Sequence, residues 1–282
     1  MTASGESETL TDVPASTTRP SALRAREATA PASPHLEHPI PALERIGLDE
    51  ARGLIDHGRF FTEYEPLVSL RSGRTVAFEA LARFRRRDGR LAAPDRVLCA
   101  LDPDPALRLR AELSLKLHQI EHAPRTPLFV NLDPTSFLRA GDARANPFLT
   151  LFSWSRARVI VEVIESLAAA DAVRASRMFG ALRARGLKVA LDDVGAAGGL
   201  LTFDALAEAH VIKFDRTLVP RMREPRARAL VRALARMARE TGARTVFEGI
   251  ETTSEFVLAR DLGVDLAQGF LFRDRVRAVE RR

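Results

Sequence analysis

The sequence predicts an α/β domain, either a (βα)8-type barrel or an open α/β sheet, and three observations predict it. From Leu48 nearly to the C-terminus, short apolar runs of strand length alternate with longer segments of helical periodicity. Two apolar runs near the start are joined by so short a turn that only an antiparallel pair satisfies it. The alternating region covers about 235 residues, a usual size for a (βα)8 barrel, and no fixed period repeats, which excludes a solenoid.

Taken in order, residues 1–40 are dominated by Thr, Ser, Pro, Ala and Glu. They hold too few large apolar side chains to offset the entropy of ordering and are expected to form a disordered tail ahead of one domain over residues 45–280. Leu48 to His57 is predicted as a helix, followed by strands Phe60–Leu70 and Thr75–Phe84 around the turn Arg71-Ser72-Gly73-Arg74. Later strands are predicted at Leu128–Leu132, Val159–Ile164, Leu187–Leu191, Val211–Phe214, Thr245–Phe247 and in a last short piece within Leu266–Phe272. The segments Ala106–His122, Ala169–Arg185, Arg226–Thr241 and Ser254–Leu262 carry helical periodicity. Gly186, Gly242 and Gly263 sit where a helix ends and the next strand begins.

The formal charge is +6, and it comes from arginine, because lysine occurs only at Lys116, Lys188 and Lys213. The arginines are spread along the chain as on solvated helix faces, without the aromatic strands or zinc spacings of nucleic-acid readers, so no nucleic-acid partner is expected. Cys99 is the sole cysteine. It excludes an internal disulfide framework and a cysteine-based zinc site and suits a reducing compartment. No signal peptide and no apolar run of membrane-spanning length, about 18 residues, is read, so a cytoplasmic protein without a membrane partner is expected.

The chemistry is carried by the strand ends. Seven apolar runs terminate in polar residues: Glu79, Asn131, Glu162, Asp192-Asp193, Lys213, Glu248 and Gln268. In a parallel barrel these side chains converge on the face where active sites form. Singly, each is an ordinary cap or loop residue. Together, five carboxylates at one mouth would raise one another's pKa unless a cation neutralised them. Oxygen donors without histidine favour Mg²⁺ or Mn²⁺ over zinc. The Asp192-Asp193 pair suits two metals about 3.5–4 Å apart, the arrangement for in-line attack at phosphorus. Metal-assisted phosphoester hydrolysis is therefore the leading reaction class, with a metal-dependent barrel enzyme that stabilises an enolate as a weaker reading.

Over roughly residues 48–275 the chain resembles the EAL domain family. The motifs are Tyr64-Glu65-Pro66-Leu67-Val68, Phe78-Glu79-Ala80-Leu81-Ala82-Arg83, Val130-Asn131-Leu132, Val161-Glu162-Val163-Ile164-Glu165-Ser166 and Ala190-Leu191-Asp192-Asp193-Val194-Gly195. They continue with Ile212-Lys213-Phe214-Asp215-Arg216, Phe247-Glu248-Gly249-Ile250-Glu251-Thr252 and Gln268-Gly269-Phe270-Leu271-Phe272. The resemblance implies a modified (βα)8 TIM-like barrel with one antiparallel strand and hydrolysis of cyclic di-GMP to the linear dinucleotide pGpG with two Mg²⁺ or Mn²⁺ ions. It implies that Glu79, Asn131, Glu162 and Asp192 hold the first metal, and Asp192 and Asp193 the second, with Glu248 close by. Lys213 would orient the attacking water and help its deprotonation, with Gln268 supporting that water and Glu248. Arg83 would contact a substrate phosphate, with Leu81 also at the substrate, and Glu165 and Glu251 would anchor the loop after the double Asp.

That loop departs from the family. It reads Val194-Gly195-Ala196-Ala197-Gly198-Gly199-Leu200-Leu201 where Phe-Gly-Thr-Gly-Tyr-Ser-Ser-Leu is usual. The Thr, Tyr and both Ser positions that would partner Glu165 are lost, and the three glycines raise the cost of ordering the loop. Reduced or conditionally activated catalysis and a weakened homodimer are expected, and a degenerate module that binds cyclic di-GMP or a protein without turnover is the alternative. Glu65 stands where Gln is usual and reads as a rim carboxylate; His210 stands where Asp is usual. His118 and His122, one helical turn apart, lack the Glu placement of a zincin and read as a solvated helix face, and Trp154 reads as core or interface.

Overall fold

Chain direction in the fold is set by the first hairpin. Strands β1 (Phe60–Ser69) and β2 (Thr75–Arg85) pair antiparallel, with Phe60 opposite Phe84 and Glu65 opposite Glu79. The turn falls where the sequence predicts it: Gly73 takes φ +67° and donates its N–H to Ser69 O. The structure is a computed structural model that describes residues 45–155, 158–164, 169–198 and 201–281. The expected tail over residues 1–40 lies outside the described residues.

Eight further strands follow: β3 (Leu91–Ala92), β4 (Leu128–Asn131), β5 (Val159–Ile164), β6 (Lys188–Val194), β7 (Val211–Phe214), β8 (Arg244–Phe247), β9 (Leu266–Ala267) and β10 (Arg277–Glu280). From β2 through β4, β5, β6, β7 and β8 to β9, neighbours are parallel. β9 then returns to β1, Val68 opposite Ala267, in antiparallel sense. The sheet therefore closes into an eight-stranded barrel in which β1 alone runs against the rest. β3 extends the far end of β2, and β10 pairs along β1.

Ten helices accompany the strands among the described residues: α1 (Leu48–Asp56), α2 (Pro94–Ala100), α3 (Pro105–Glu121), α4 (Pro134–Arg139), α5 (Pro147–Trp154), α6 (Ala169–Ala184), α7 (Phe203–Glu208), α8 (Leu218–Arg221), α9 (Pro225–Thr241) and α10 (Thr253–Asp261). α9 illustrates why the long ones form. Pro225 occupies its first turn, and Ala227, Val231, Ala235 and Ala238 bury one stripe. Gly242 ends it at φ +80°. α10 opens with a capping box between Thr252 and Glu255.

Two apolar layers hold the barrel. The outer one lies between strands and helices and includes Val130, Val161, Val189, Ile212 and Phe247 packed against Met178, Leu182 and Val231. The inner one takes one side chain from every barrel strand: Leu67, Ala77, Phe129, Ile160, Ala190, Val211, Val246 and Leu266. Full burial of each large member contributes about 1.5–3 kcal/mol. This plug closes the barrel below its mouth.

One surface reading is corrected. His118 is buried rather than solvated, because α3 turns it onto the hairpin with Ala111 and Leu115, where its Nδ1 meets Thr62 Oγ1 at 2.9 Å. His122, one turn on, is exposed as expected. Trp154, at the end of α5, is 85% exposed, which removes the core half of its core-or-interface reading. No helix among the described residues is long and apolar enough to cross a membrane.

Gly269 tests how tightly the last strand is seated. It has φ +144°, and an added Cβ would lie 2.4 Å from Ile250 N and 2.5 Å from Ile250 O. Neither backbone atom can withdraw without breaking the turn, since Ile250 N donates to Gln268 O. Gly269→Ala is expected to cost more than about 2 kcal/mol in urea unfolding; an unchanged midpoint would contradict this seating.

Candidate active site

The apolar plug also specifies the site. Side chains two residues apart on a strand share a face, so the residue two steps nearer the mouth from each plug member also points inward. Those residues are Glu79, Asn131, Glu162, Asp192, Lys213, Glu248 and Gln268, beyond Ala77, Phe129, Ile160, Ala190, Val211, Val246 and Leu266. On β1, which runs the other way, the corresponding step is backwards from Leu67 to Glu65. Seven of these were readable as strand ends. The eighth, Glu65, was not, and it corrects the rim expectation: it is partly buried and sits opposite Glu79 in the β1–β2 register.

Lys213 is the centre of the arrangement. Its Nζ lies 2.5 Å from Glu162 Oε1, 2.7 Å from Glu248 Oε1, 3.0 Å from Asp192 Oδ1 and 3.3 Å from Glu79 Oε2. Glu79 is gripped from two further sides, by Asn131 Nδ2 at 2.9 Å and Gln268 Nε2 at 2.7 Å. Lys213 is 1% exposed, so its four partners are its solvation.

Asp193 joins the group through a break in the strand. Regular alternation would send it away from Asp192, but it takes φ +57°, the one described non-glycine residue at positive φ, and the β6–β7 register shifts between Leu191 and Val194. With that twist, Asp192, Asp193 and Glu248 offer oxygens that all lie within 4.8 Å of one another. A strained residue in this position is the kind of local cost that persists at functional sites.

Residues 48–274 match the family model described as EAL domain. The chain belongs to the EAL domain family. It is 30% identical over 237 residues to the cyclic di-GMP phosphodiesterase RocR of Pseudomonas aeruginosa, covering 79% of this chain and 59% of that protein. It is 26% identical to the bifunctional diguanylate cyclase/cyclic di-GMP phosphodiesterase MucR of the same organism, covering 79% of this chain and 34% of the relative. The chain thus spans little more than half, or less, of the length of these curated relatives. In fold it superposes on the MucR phosphodiesterase in its c-di-GMP complex with a TM-score of 0.62 at 24% identity, covering 79% of this chain and 94% of that one. The FimX EAL domain of P. aeruginosa bound to c-di-GMP gives a TM-score of 0.68 at 18% identity, covering 80% and 94%.

The electrostatics of this EAL domain follow from its geometry. Burial and the charge of Glu79 push the Glu162 carboxyl well up, against the pull of Lys213. Burial likewise pushes Glu248 up, with Lys213 opposing and Asp192 and Glu79 adding to the rise. Burial would raise Glu79 too, but Lys213 and the hydrogen bonds from Gln268 and Asn131 outweigh it and hold this carboxyl at about 2. Lys213 loses solvation, yet Asp192, Glu162, Glu248 and Glu79 together hold it well above the usual lysine range. Five carboxylates, Glu79, Glu162, Asp192, Asp193 and Glu248, thus face one ammonium. Buried Glu162 Oε2 and Gln268 Oε1 accept no hydrogen bond. An all-oxygen donor set with surplus negative charge and unsatisfied buried acceptors fits hard divalent cations.

The remaining candidates are placed less centrally. Leu81 and Arg83 continue the face of Glu79 along β2. Arg83 is held there by Glu63, Nε to Oε2 at 2.6 Å, and donates from Nη1 to Ala82 O. Glu251 is exposed at the lip of an open cleft beside Arg216, and its N–H donates to Glu255; among the described residues no hydrogen bond or ion pair links it to the loop after Asp193. Glu165 lies outside the described residues, as do Gly199 and Leu200 of the loop.

Burial, with Asp192 and Asp215, raises Asp193 to about 6, and burial, with Glu79, raises Glu65 to about 7 against the hydrogen bond from Gln268. A carboxyl raised in the fold stabilises it below its unfolded value, and that contribution is lost as pH rises through the folded pKa. With chelator present, the melting temperature is expected to fall from about pH 5 to about pH 8, and Mn²⁺ to restore it at the upper end. A melting temperature insensitive to both would contradict the cluster.

Proposed function

We propose that this chain hydrolyses cyclic di-GMP to linear pGpG with two divalent cations, Mg²⁺ or Mn²⁺, at the barrel mouth. The observation that carries the reading is the single ammonium of Lys213 among Glu79, Glu162, Asp192 and Glu248, beside the Asp192–Asp193–Glu248 group. Glu79, Asn131, Glu162 and Asp192 would hold one cation, and Asp192 and Asp193 the other, with Glu248 adjacent. What the cations supply when bound is a more acidic water and neutralisation of charge on the non-bridging phosphate oxygens.

The chain's own groups do the rest. Lys213 directs a water toward phosphorus on the side opposite the 3′ oxygen, and the carboxylates around Lys213 take up the proton that water loses. A P–O bond to water forms as the P–O3′ bond breaks, which leaves a 5′-phosphate and a free 3′-hydroxyl. Gln268 holds Glu79 and supports Glu248 and the water. Arg83, already fixed through Nε and Nη1, would turn its remaining nitrogen to a substrate phosphate, with Leu81 against the nucleotide. The substrate class and the reducing, cytoplasmic setting read from Cys99 agree.

One observation favours the second reading, a module that binds cyclic di-GMP or a protein without turnover. In the loop after Asp193, Gly195 and Gly198 sit at φ +94° and +86°, and Ala196 and Ala197 bring no side-chain donors. Catalysis is therefore assigned as reduced or conditional, and the homodimer as weakened, although Leu201 and Phe203 expose apolar surface beside the loop. Purified protein with cyclic di-GMP and Mn²⁺ is expected to release pGpG on chromatography, and Glu79→Ala to lower turnover by about a hundredfold or more. Retained binding without product would establish the receptor, and unchanged turnover in Glu79→Ala would refute the metal assignment.

A further inference from the structure

The inner face of the barrel has eight mouth-ward positions, one per strand, and family resemblance accounts for seven. The eighth is Glu65. Its place follows from chain direction: β1 is antiparallel, so its mouth-ward inner residue precedes Leu67 instead of following it. Glu65 sits directly opposite Glu79 in the β1–β2 register, and residues so paired have Cβ atoms about 4.5–5.5 Å apart on one face. Gln268 stands beside both: it donates to Glu79 Oε2 at 2.7 Å, and its amide draws the Glu65 carboxyl down against the rise from burial and Glu79. Gln268 is 5% exposed, and its Oε1 accepts no hydrogen bond. The pair Glu65–Glu79 is therefore a second acidic couple, across the mouth from Asp192–Asp193, and the amide beside it carries a buried acceptor without a hydrogen bond.

We infer that Glu65 is an additional anionic member of the cation site, strengthening divalent-cation binding at the Glu79 end through its charge. The inference rests on the proposed two-cation reading of the mouth. Its physical basis is direct. Another carboxylate within a few ångströms of a ligand attracts a doubly charged ion strongly even at an effective dielectric constant of about 20. A glutamine at the same position would offer the same shape without that charge. The same feature makes the mouth more dependent on its cations, because six carboxylates repel a phosphodiester more than five do. Glu65 is thus a positioning and charge-setting residue rather than a catalytic one.

Calorimetric titration of Mn²⁺ at about pH 8, well above the ordinary carboxylate range, tests this in the full chain. Glu65→Gln is expected to keep the wild-type stoichiometry and bind Mn²⁺ about tenfold more weakly. Glu65→Asp, which keeps the charge, is expected to stay within about threefold of wild type. Melting curves in chelator verify that each variant is folded. A Glu65→Gln isotherm that overlays wild type would overturn the inference while leaving the cation site standing. Glu65→Asp as weak as Glu65→Gln would overturn it too, by showing that shape and not charge is sensed. A wild-type chain that takes up no Mn²⁺ would bring down the two-cation reading itself.

Discussion

One ammonium buried among four carboxylates is the constraint on which this structure turns. Charges in a protein interior are tolerated only when paired and hydrogen-bonded, and removing one partner of a buried pair costs about 3–5 kcal/mol. Lys213 and its partners meet that condition only because each comes from a different strand of a closed sheet: Glu79 from β2, Glu162 from β5 and Asp192 from β6, with Glu248 just after β8. A compact, three-donor lysine suits such a crowded point where a planar guanidinium would not. In a chain with three lysines, placing one here is informative. The apolar plug beneath and the polar collar above are two consequences of the same period-two alternation, since each plug side chain fixes the direction of the collar residue two steps on.

The reversed strand matters as much as the lysine. β1 pairs antiparallel with both its neighbours, so the barrel closes through a tight hairpin rather than a helical crossover. Reversal leaves the inward parity of β1 intact but inverts the order of plug and collar residues along it. That is how Glu65 comes to face Glu79, and how Glu63, two residues earlier, comes to fix Arg83 on the same face. β1 therefore contributes acidity to a mouth already rich in it, in a chain whose overall charge is positive.

Much of this was legible in the sequence because the barrel repeats one local rule. Apolar runs that end in a polar residue mark the parallel strands, and Gly186, Gly242 and Gly263, all at positive φ, mark the helix-to-strand passages. The rule failed where local geometry breaks it. Glu65 precedes its apolar partner, so no strand-end pattern reveals it. Asp193 is named by its place beside Asp192, yet it reaches the mouth only through a left-handed backbone that alternation by itself does not anticipate. The short helices α4 and α5 are under the length at which periodicity speaks, although Asp133-Pro134 and Asn146-Pro147 are cap-and-first-turn signals that could have found them. His118 was misjudged because a polar residue on a helix was given no partner, whereas Thr62 on the hairpin supplies one.

The family assignment and the geometry meet in the cation count, since a mouth that holds two divalent ions is built for chemistry at phosphorus, and one that holds none is a binding surface. Asp192 is the residue on which both ions depend in this account, lying against Lys213 on one side and within the Asp193–Glu248 group on the other. Equilibrium dialysis against Mn²⁺, with the bound metal measured by atomic absorption, is the most direct test. The account predicts about two ions per wild-type chain and essentially none after Asp192→Ala; a wild-type chain without bound metal, or an Asp192→Ala chain that still holds two, would contradict it.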